Sequence, residues 1–279
     1  MDMSPYHNRK KTLLEASQVS DLYKLLEEGE IQKALQLVNE DEDAWQDLME
    51  LLEDSDESMQ RFAFEIASKS GDNPLLLEAL PMLISGLDSD EDDICRYAAE
   101  ALYYLGPDAA DAAESLSNLL SHDDDDVRRA SARVFTNMGT AALVAKEQLI
   151  EALSDSDEVV RGEAALAIGN LGRDAPEAVP VLINMLSDEE EFIHENRSME
   201  VRLAAQKALE RIGPDAIPGL LEALRADRPE QRVIAVTALG AMESLPEEAA
   251  KDIEDATLDP DETVQTAAKT ALKRIKAQK

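Results

Sequence analysis

A chain of 279 residues with 27 Lys and Arg against 60 Asp and Glu carries a formal charge of −33, so repulsion from phosphate sets it against general binding to nucleic acid or to an anionic membrane. Only 4% of the residues are aromatic and the dominant residues are helix formers, which argues against a sheet-built fold. The single cysteine, Cys95, excludes an intrachain disulfide, and with no apolar run near the ~20 residues of a spanning helix the expectation is a soluble, cytoplasmic protein.

In chain order, residues 1–19 have no apolar leader core and carry Arg9, Lys10 and Lys11; they are expected to form a mobile tail or a cap helix. Residues 20–43 read as a helical hairpin, 21–28 and 30–39, turning at Gly29. From residue 44 to 279 one amphipathic segment recurs, as in DDICRYAAEALYYLG, DDVRRASARVFTNMG, EVVRGEAALAIGNLG and MEVRLAAQKALERIG. The first core positions of the copies are Met59, Ile94, Val127, Val160, Val201, Gln231 and Val264, spaced 35, 33, 33, 41, 30 and 33 residues apart. Counted from that anchor, apolar residues fall at 0, +4, +7, +8 and +11, the stripe of a one-sided helix. Position +4 is always small: Ala63, Ala98, Ser131, Ala164, Ala205, Ala235 and Ala268. That lets a neighbouring helix backbone approach. A second amphipathic stretch precedes each copy, as in 73–87, 141–153, 177–186 and 215–224, so each repeat is a helical pair. Acidic turns such as LDSDEDD and LSDSDEV cap the helix that follows, and Gly106, Gly139, Gly172 and Gly213 stop it. At the end, Lys273, Arg274, Lys276 and Lys279 complement the last helix dipole.

The run D-x-D-x-x-V-R followed by A-x-x-A-L and L-G resembles HEAT repeats, in particular the short subtype named after phycobilisome lyases. The resemblance implies an all-α, right-handed α-α superhelix of about seven helical pairs behind a divergent N-terminal cap. It also implies that the second helices, starting near 59, 94, 127, 160, 201, 231 and 264, line a concave face that binds proteins or, less often, ligands.

Candidate functional residues follow from the same register. The arginine after the anchor, Arg128, Arg161, Arg202 and Arg232, is expected to reach the Asp of the preceding turn or of the neighbouring repeat and fix the stacking. Positions +2, +6, +9 and +10 are expected on the open face. There, Arg96, Arg129, Arg133, Tyr103, Tyr104 and Asn137 form a candidate patch of residue types favoured at interfaces, against the alternative of a solvated face. The one 41-residue spacing places about eight extra residues in SDEEEFIHENRSME as a rim loop. Its Phe192 and Ile193 read either as a projecting anchor, giving Phe192 as a further partner contact, or as a local tuck.

No catalytic, metal or cofactor site is expected. The three histidines, His7, His122 and His194, lack ligand spacing. One His-Glu pair, His194 with Glu195, occurs where the iron-binding deoxyhypusine hydroxylases of the HEAT group use several, and the acidic turns lack a calcium-loop pattern. A bilin-lyase-like activity would rest on Cys95, whose bland reading is packing. The acidity fits either screening by concentrated salt or a basic partner; its spread over nearly every turn favours the first. Acidic HEAT-like adaptors of haloarchaea, linking chemotaxis signalling to the archaeal motility machinery, are similar in composition and repeat type. The reading is a monomeric, non-catalytic scaffold that binds another protein. That chemotaxis adaptor, the lyase and an acidic mimic sequestering a basic nucleic-acid-binding protein are the alternatives.

Overall fold

A computed structural model describes residues 20–242 and 245–277. The expected tail over 1–19, with Arg9, Lys10 and Lys11, lies outside the described residues, as does Lys279. Helices α1 (Asp21–Glu27) and α2 (Ile31–Glu40) turn at Gly29 and lead into α3 (Glu42–Leu52) and α4 (Glu57–Lys69). Then come α5 (Leu80–Gly86), α6 (Asp92–Leu105), α7 (Ala113–Leu119), α8 (Asp125–Phe135), α9 (Lys146–Ala152), α10 (Glu158–Leu171), α11 (Val179–Asn184) and α12 (Val201–Ile212). The chain continues through α13 (Ile217–Ala223), α14 (Pro229–Ala241), α15 (Glu247–Asp255) and α16 (Glu262–Ala277).

Two layers result. The helices from α4 to α16 that carry the repeated anchor each pack on the next, and α7 on α9, α11 on α13 and α13 on α15 form the second layer. Several outer helices are short because a tight 3-10 stretch precedes them, with Pro74, Pro107, Pro176 and Pro214 at its start; proline supplies the right φ there and needs no helical N–H. Gly106, Gly139, Gly172 and Gly213 take φ values of +53°, +61°, +56° and +77°, a left-handed turn that lets the chain double back between pairs.

The stacking depends on position +4. All seven residues there, Ala63 through Ala268, are fully buried, and the one hydroxyl among them, Ser131, donates to the carbonyl of Leu116 at 2.6 Å, so it costs no unpaired polar group. Large residues one turn on, at +8, Leu102, Phe135, Ile168, Leu209 and Leu239, close the space between pairs at 0% exposure. Helix starts are held by the acidic turns: Asp56, Asp124 and Asp157 each accept two backbone N–H bonds from the first turn of α4, α8 and α10.

The extra residues do not form a rim loop. They make an antiparallel hairpin, β1 (Glu191–His194) with β2 (Arg197–Glu200), pairing Phe192 with Met199 and His194 with Arg197. Glu195 and Asn196 turn it with φ of 48° and 61°, the paired positive values of a tight hairpin turn. The hairpin lies on α10.

Candidate functional site

The arginine at +1 forms a clamp. Arg128 donates to Asp155 at 2.9 and 3.1 Å and to the carbonyls of His122 and Asp123. Arg161 repeats this with Asp188 at 2.8 Å, Glu190, and the carbonyls of Asp155 and Ser156. Arg232 repeats it with Asp259 at 2.9 and 2.8 Å and the carbonyls of Ala226 and Asp227. Each therefore joins its own acidic turn to the turn of the next repeat, 27 residues on. The bond to Asp259 raises the basicity of Arg232 and, in turn, lowers the Asp259 carboxyl. Where the clamp partner is absent the +1 residue keeps only the local bond: Gln60 and Gln265 donate to the carbonyls of Leu52 and Asp259. Cys95 fills the same slot, its thiol directed at the carbonyls of Leu87 and Ser89. Burial pushes that thiol up, which favours its neutral form.

Arg202 does not clamp the next turn. The position that Asp155, Asp188 and Asp259 fill is Ala226 in its neighbour, and Arg202 instead pairs with Glu200 and lies 3.8 Å from Glu189. From the following turn Arg228 reaches back to Glu189 at 2.5 Å.

The candidate patch separates into two groups. Arg96 and Arg129, at +2, are tied down near the helix starts. Arg96 bonds Asp93 at 2.7 Å and Glu100 at 3.1 Å and stacks on Tyr97. Arg129 bonds Asp157 through Nε at 3.0 Å, Asp126 and Asp125. Burial pushes the Asp157 carboxyl up, but Arg129 and the amides of Val160 and Val159 outweigh it, and the net shift is down. Further along, Tyr103, Tyr104, Arg133 and Asn137 come together. The two tyrosine rings meet edge to face at 5.5 Å, and the Arg133 guanidinium sits 4.3 Å over the Tyr103 ring. The Asn137 amide lies 3.5 Å from the Tyr103 carbonyl. Among the described residues Arg133 makes no ion pair; it is exposed, as are Asn137 and Tyr104, the last at 43%.

Two expectations need correction. Position +9 does not belong wholly to the open face: Thr136 is buried, and a Cβ on Gly169 would stand 3.1 Å from the Ala208 backbone, because the next helix crosses there. Phe192 is no projecting anchor. It is 2% exposed, and its ring fills the space that a side chain at Gly162 would need. Ile193, on the opposite face of the strand, is 63% exposed.

Two features went unforeseen. Position +10 bridges repeats, since Asn170 donates to the Thr136 carbonyl at 2.7 Å and accepts from Arg211. His194 does not act with Glu195 but meets Glu163 of α10, Nδ1 lying 2.9 and 3.0 Å from its two carboxyl oxygens. The signal was present: Glu163 stands at +3, where the other copies carry Phe62, Tyr97, Ala130, Ala204, Ile234 and Ala267. Among the described residues no group of three or more His, Cys, Asp or Glu is placed to hold a metal ion, and no helix is long and apolar enough to cross a membrane.

Layered helical pairs clamped turn to turn, with side chains displayed along one face, define an α-solenoid. A model of HEAT repeats matches residues 112–199 and 190–273, more than half of the chain, and the protein belongs to the HEAT-repeat family. No curated protein matches it. Among solved structures, an engineered protein from a structural genomics programme is similar at 24% identity, over 88% of this chain and 71% of that one, with a TM-score of 0.61. Importin beta in an ammonium sulfate condition is similar at 14% identity and a TM-score of 0.63, over 91% of this chain and 37% of its own. At such identities the likeness concerns the fold alone.

Proposed function

We propose that this protein is a non-catalytic scaffold that holds a partner protein against the face built by α6 and α8, with Tyr103, Tyr104, Arg133 and Asn137 as the contact. One observation carries the reading. In a chain of net charge −33, Arg96 and Arg129 are engaged by carboxylates, whereas Arg133 is stacked on an aromatic ring, exposed and, among the described residues, without one. Arg and Tyr held rigid in this way are residue types on which binding energy concentrates. The buried, bonded Cys95 lends no support to thiol chemistry.

The spread of acid over the inter-helix turns supports work in a salt-rich cytoplasm, and the run D-x-D-x-x-V-R followed by A-x-x-A-L and L-G supports the phycobilisome-lyase-like HEAT subtype; an adaptor role such as that between chemotaxis signalling and motility rests on likeness in composition and repeat type. Retention of proteins from source lysate at the salt of the source tests the scaffold, comparing wild type with a Tyr104→Ala, Arg133→Glu variant whose unfolding curve is unchanged. A partner kept by the wild type and lost by the variant supports the site. Equal retention refutes the site, and no retained protein at all refutes the scaffold.

A further inference from the structure

Of the seven copies, only the fourth carries a glycine at +2 and an acidic residue at +3. At +2 and +3 the first three copies carry Arg61-Phe62, Arg96-Tyr97 and Arg129-Ala130; the fourth carries Gly162-Glu163. That copy lies beneath the hairpin. Phe192 sits in the notch that Gly162 leaves, and two residues on, on the same strand face, His194 meets Glu163. The Glu163 side chain is 1% exposed, and His194 is its one hydrogen-bond partner among the described residues. The inserted segment and the surface it covers therefore fit as a pair, aromatic ring to glycine and imidazole to carboxylate.

We infer that the hairpin is a strap over the inner face of α10, latched by one proton shared between His194 and Glu163 and released when that proton leaves. With the proton present the pair is neutral overall and the carboxylate has its cation. Without it a full negative charge stays in a site closed to water with at most a neutral donor, which is costly; lifting the strap hydrates it. Several groups act on the latch. Glu163 of α10 raises His194 above its ordinary 6.5, chiefly through the hydrogen bond, and the charge of Glu195 in the hairpin turn adds to this. Burial and the charge of Arg133 on α8 oppose it. Arg197 is the cross-strand neighbour of His194, and Lys207 of α12 reaches Met199 Sδ at 3.8 Å on the same hairpin. A raised histidine contributes fully below 6.5 and loses its contribution as pH rises through the raised value, so the strap is closed in mild acid and opens as pH rises through that value. Arg133 lies within electrostatic reach of His194, so release also changes the border of the proposed contact face; that consequence rests on the scaffold reading, and the strap itself does not.

The test uses the full chain without a partner. Hydrogen exchange of residues 191–200, corrected for its intrinsic pH dependence, is followed from about pH 5.5 to about pH 9 beside an NMR titration of the His194 ring, assigned with His194→Gln. The expected midpoint lies above 6.5, and between 6.5 and that midpoint hairpin protection falls by up to about tenfold per pH unit, levelling off beyond it. Glu163→Gln brings the midpoint back toward 6.5 and removes the step in protection. Phe192→Ala lowers protection at every pH and keeps the step. A His194 midpoint at or below 6.5, or protection that does not change with pH, overturns the proposal.

Discussion

Arg128, Arg129 and Arg133 lie on the same helix, and two do one job and the third another. Arg128 and Arg129 stand in the first turn of α8, within reach of the acidic turn that begins α10, and each is saturated by its carboxylates. Arg133 stands one turn further along, beyond those carboxylates, and rests on Tyr103 of α6. Residue type does not separate structural from displayed arginines in a repeat protein; distance from the capping turn does. The same rule accounts for α12, where Arg202 has the right place but Ala226 removes the acceptor.

The largest effect belongs to the clamp. Arg161→Ala leaves Asp188 without its cation and the turn carbonyls without donors, and should lower unfolding stability by about 3 kcal/mol in urea denaturation. Filling the notch under the strap is next: Gly162→Ala drives out the Phe192 ring and should cost about 1–3 kcal/mol, with loss of protection at 191–200 by hydrogen exchange. Ala226→Asp supplies the missing acceptor and should raise stability by about 1 kcal/mol, a gain that disappears when Arg202→Ala is added. Arg202→Ala alone should fall within about 0–1 kcal/mol, as an exposed pair does. Acid sharpens the comparison. The Asp259 carboxyl is held down by Arg232, and Asp157 is lowered on balance by Arg129 and backbone amides against burial. Their contribution is present above the ordinary carboxylate value of 3.8 and is lost as pH falls through the lowered one. A steep loss of the folded signal as pH falls below 3.8, weaker in Arg232→Ala, is the expected titration.

The stacking was legible because it is written in a helical period: small residues at +4, large ones at +8 and acid before each second helix are local signals that agree. The clamp was legible because Arg and Asp recur in step. Position +9 was not, since whether it is open depends on where the next helix crosses, as Ala208 does over Gly169. The place of Phe192 and the partner of His194 were hidden for a related reason. Their contacts, Gly162 and Glu163, lie some thirty residues away, and the apolar and acidic residues around Phe192 suit a free loop as well as a tucked strand. Of the candidate patch, Tyr103, Tyr104, Arg133 and Asn137 assemble, while Arg96 and Arg129 are spoken for by the turns.

The most direct measurement pairs two variants across two readouts: urea unfolding and partner retention for Arg161→Ala and Arg133→Glu. The account predicts a crossed result, with Arg161→Ala about 3 kcal/mol less stable yet still binding under conditions where it remains folded. Arg133→Glu should be within about 0.5 kcal/mol of the wild type and unable to hold the partner. An Arg133→Glu variant that is as unstable as Arg161→Ala, or that binds as the wild type does, would contradict the division between clamp and contact face.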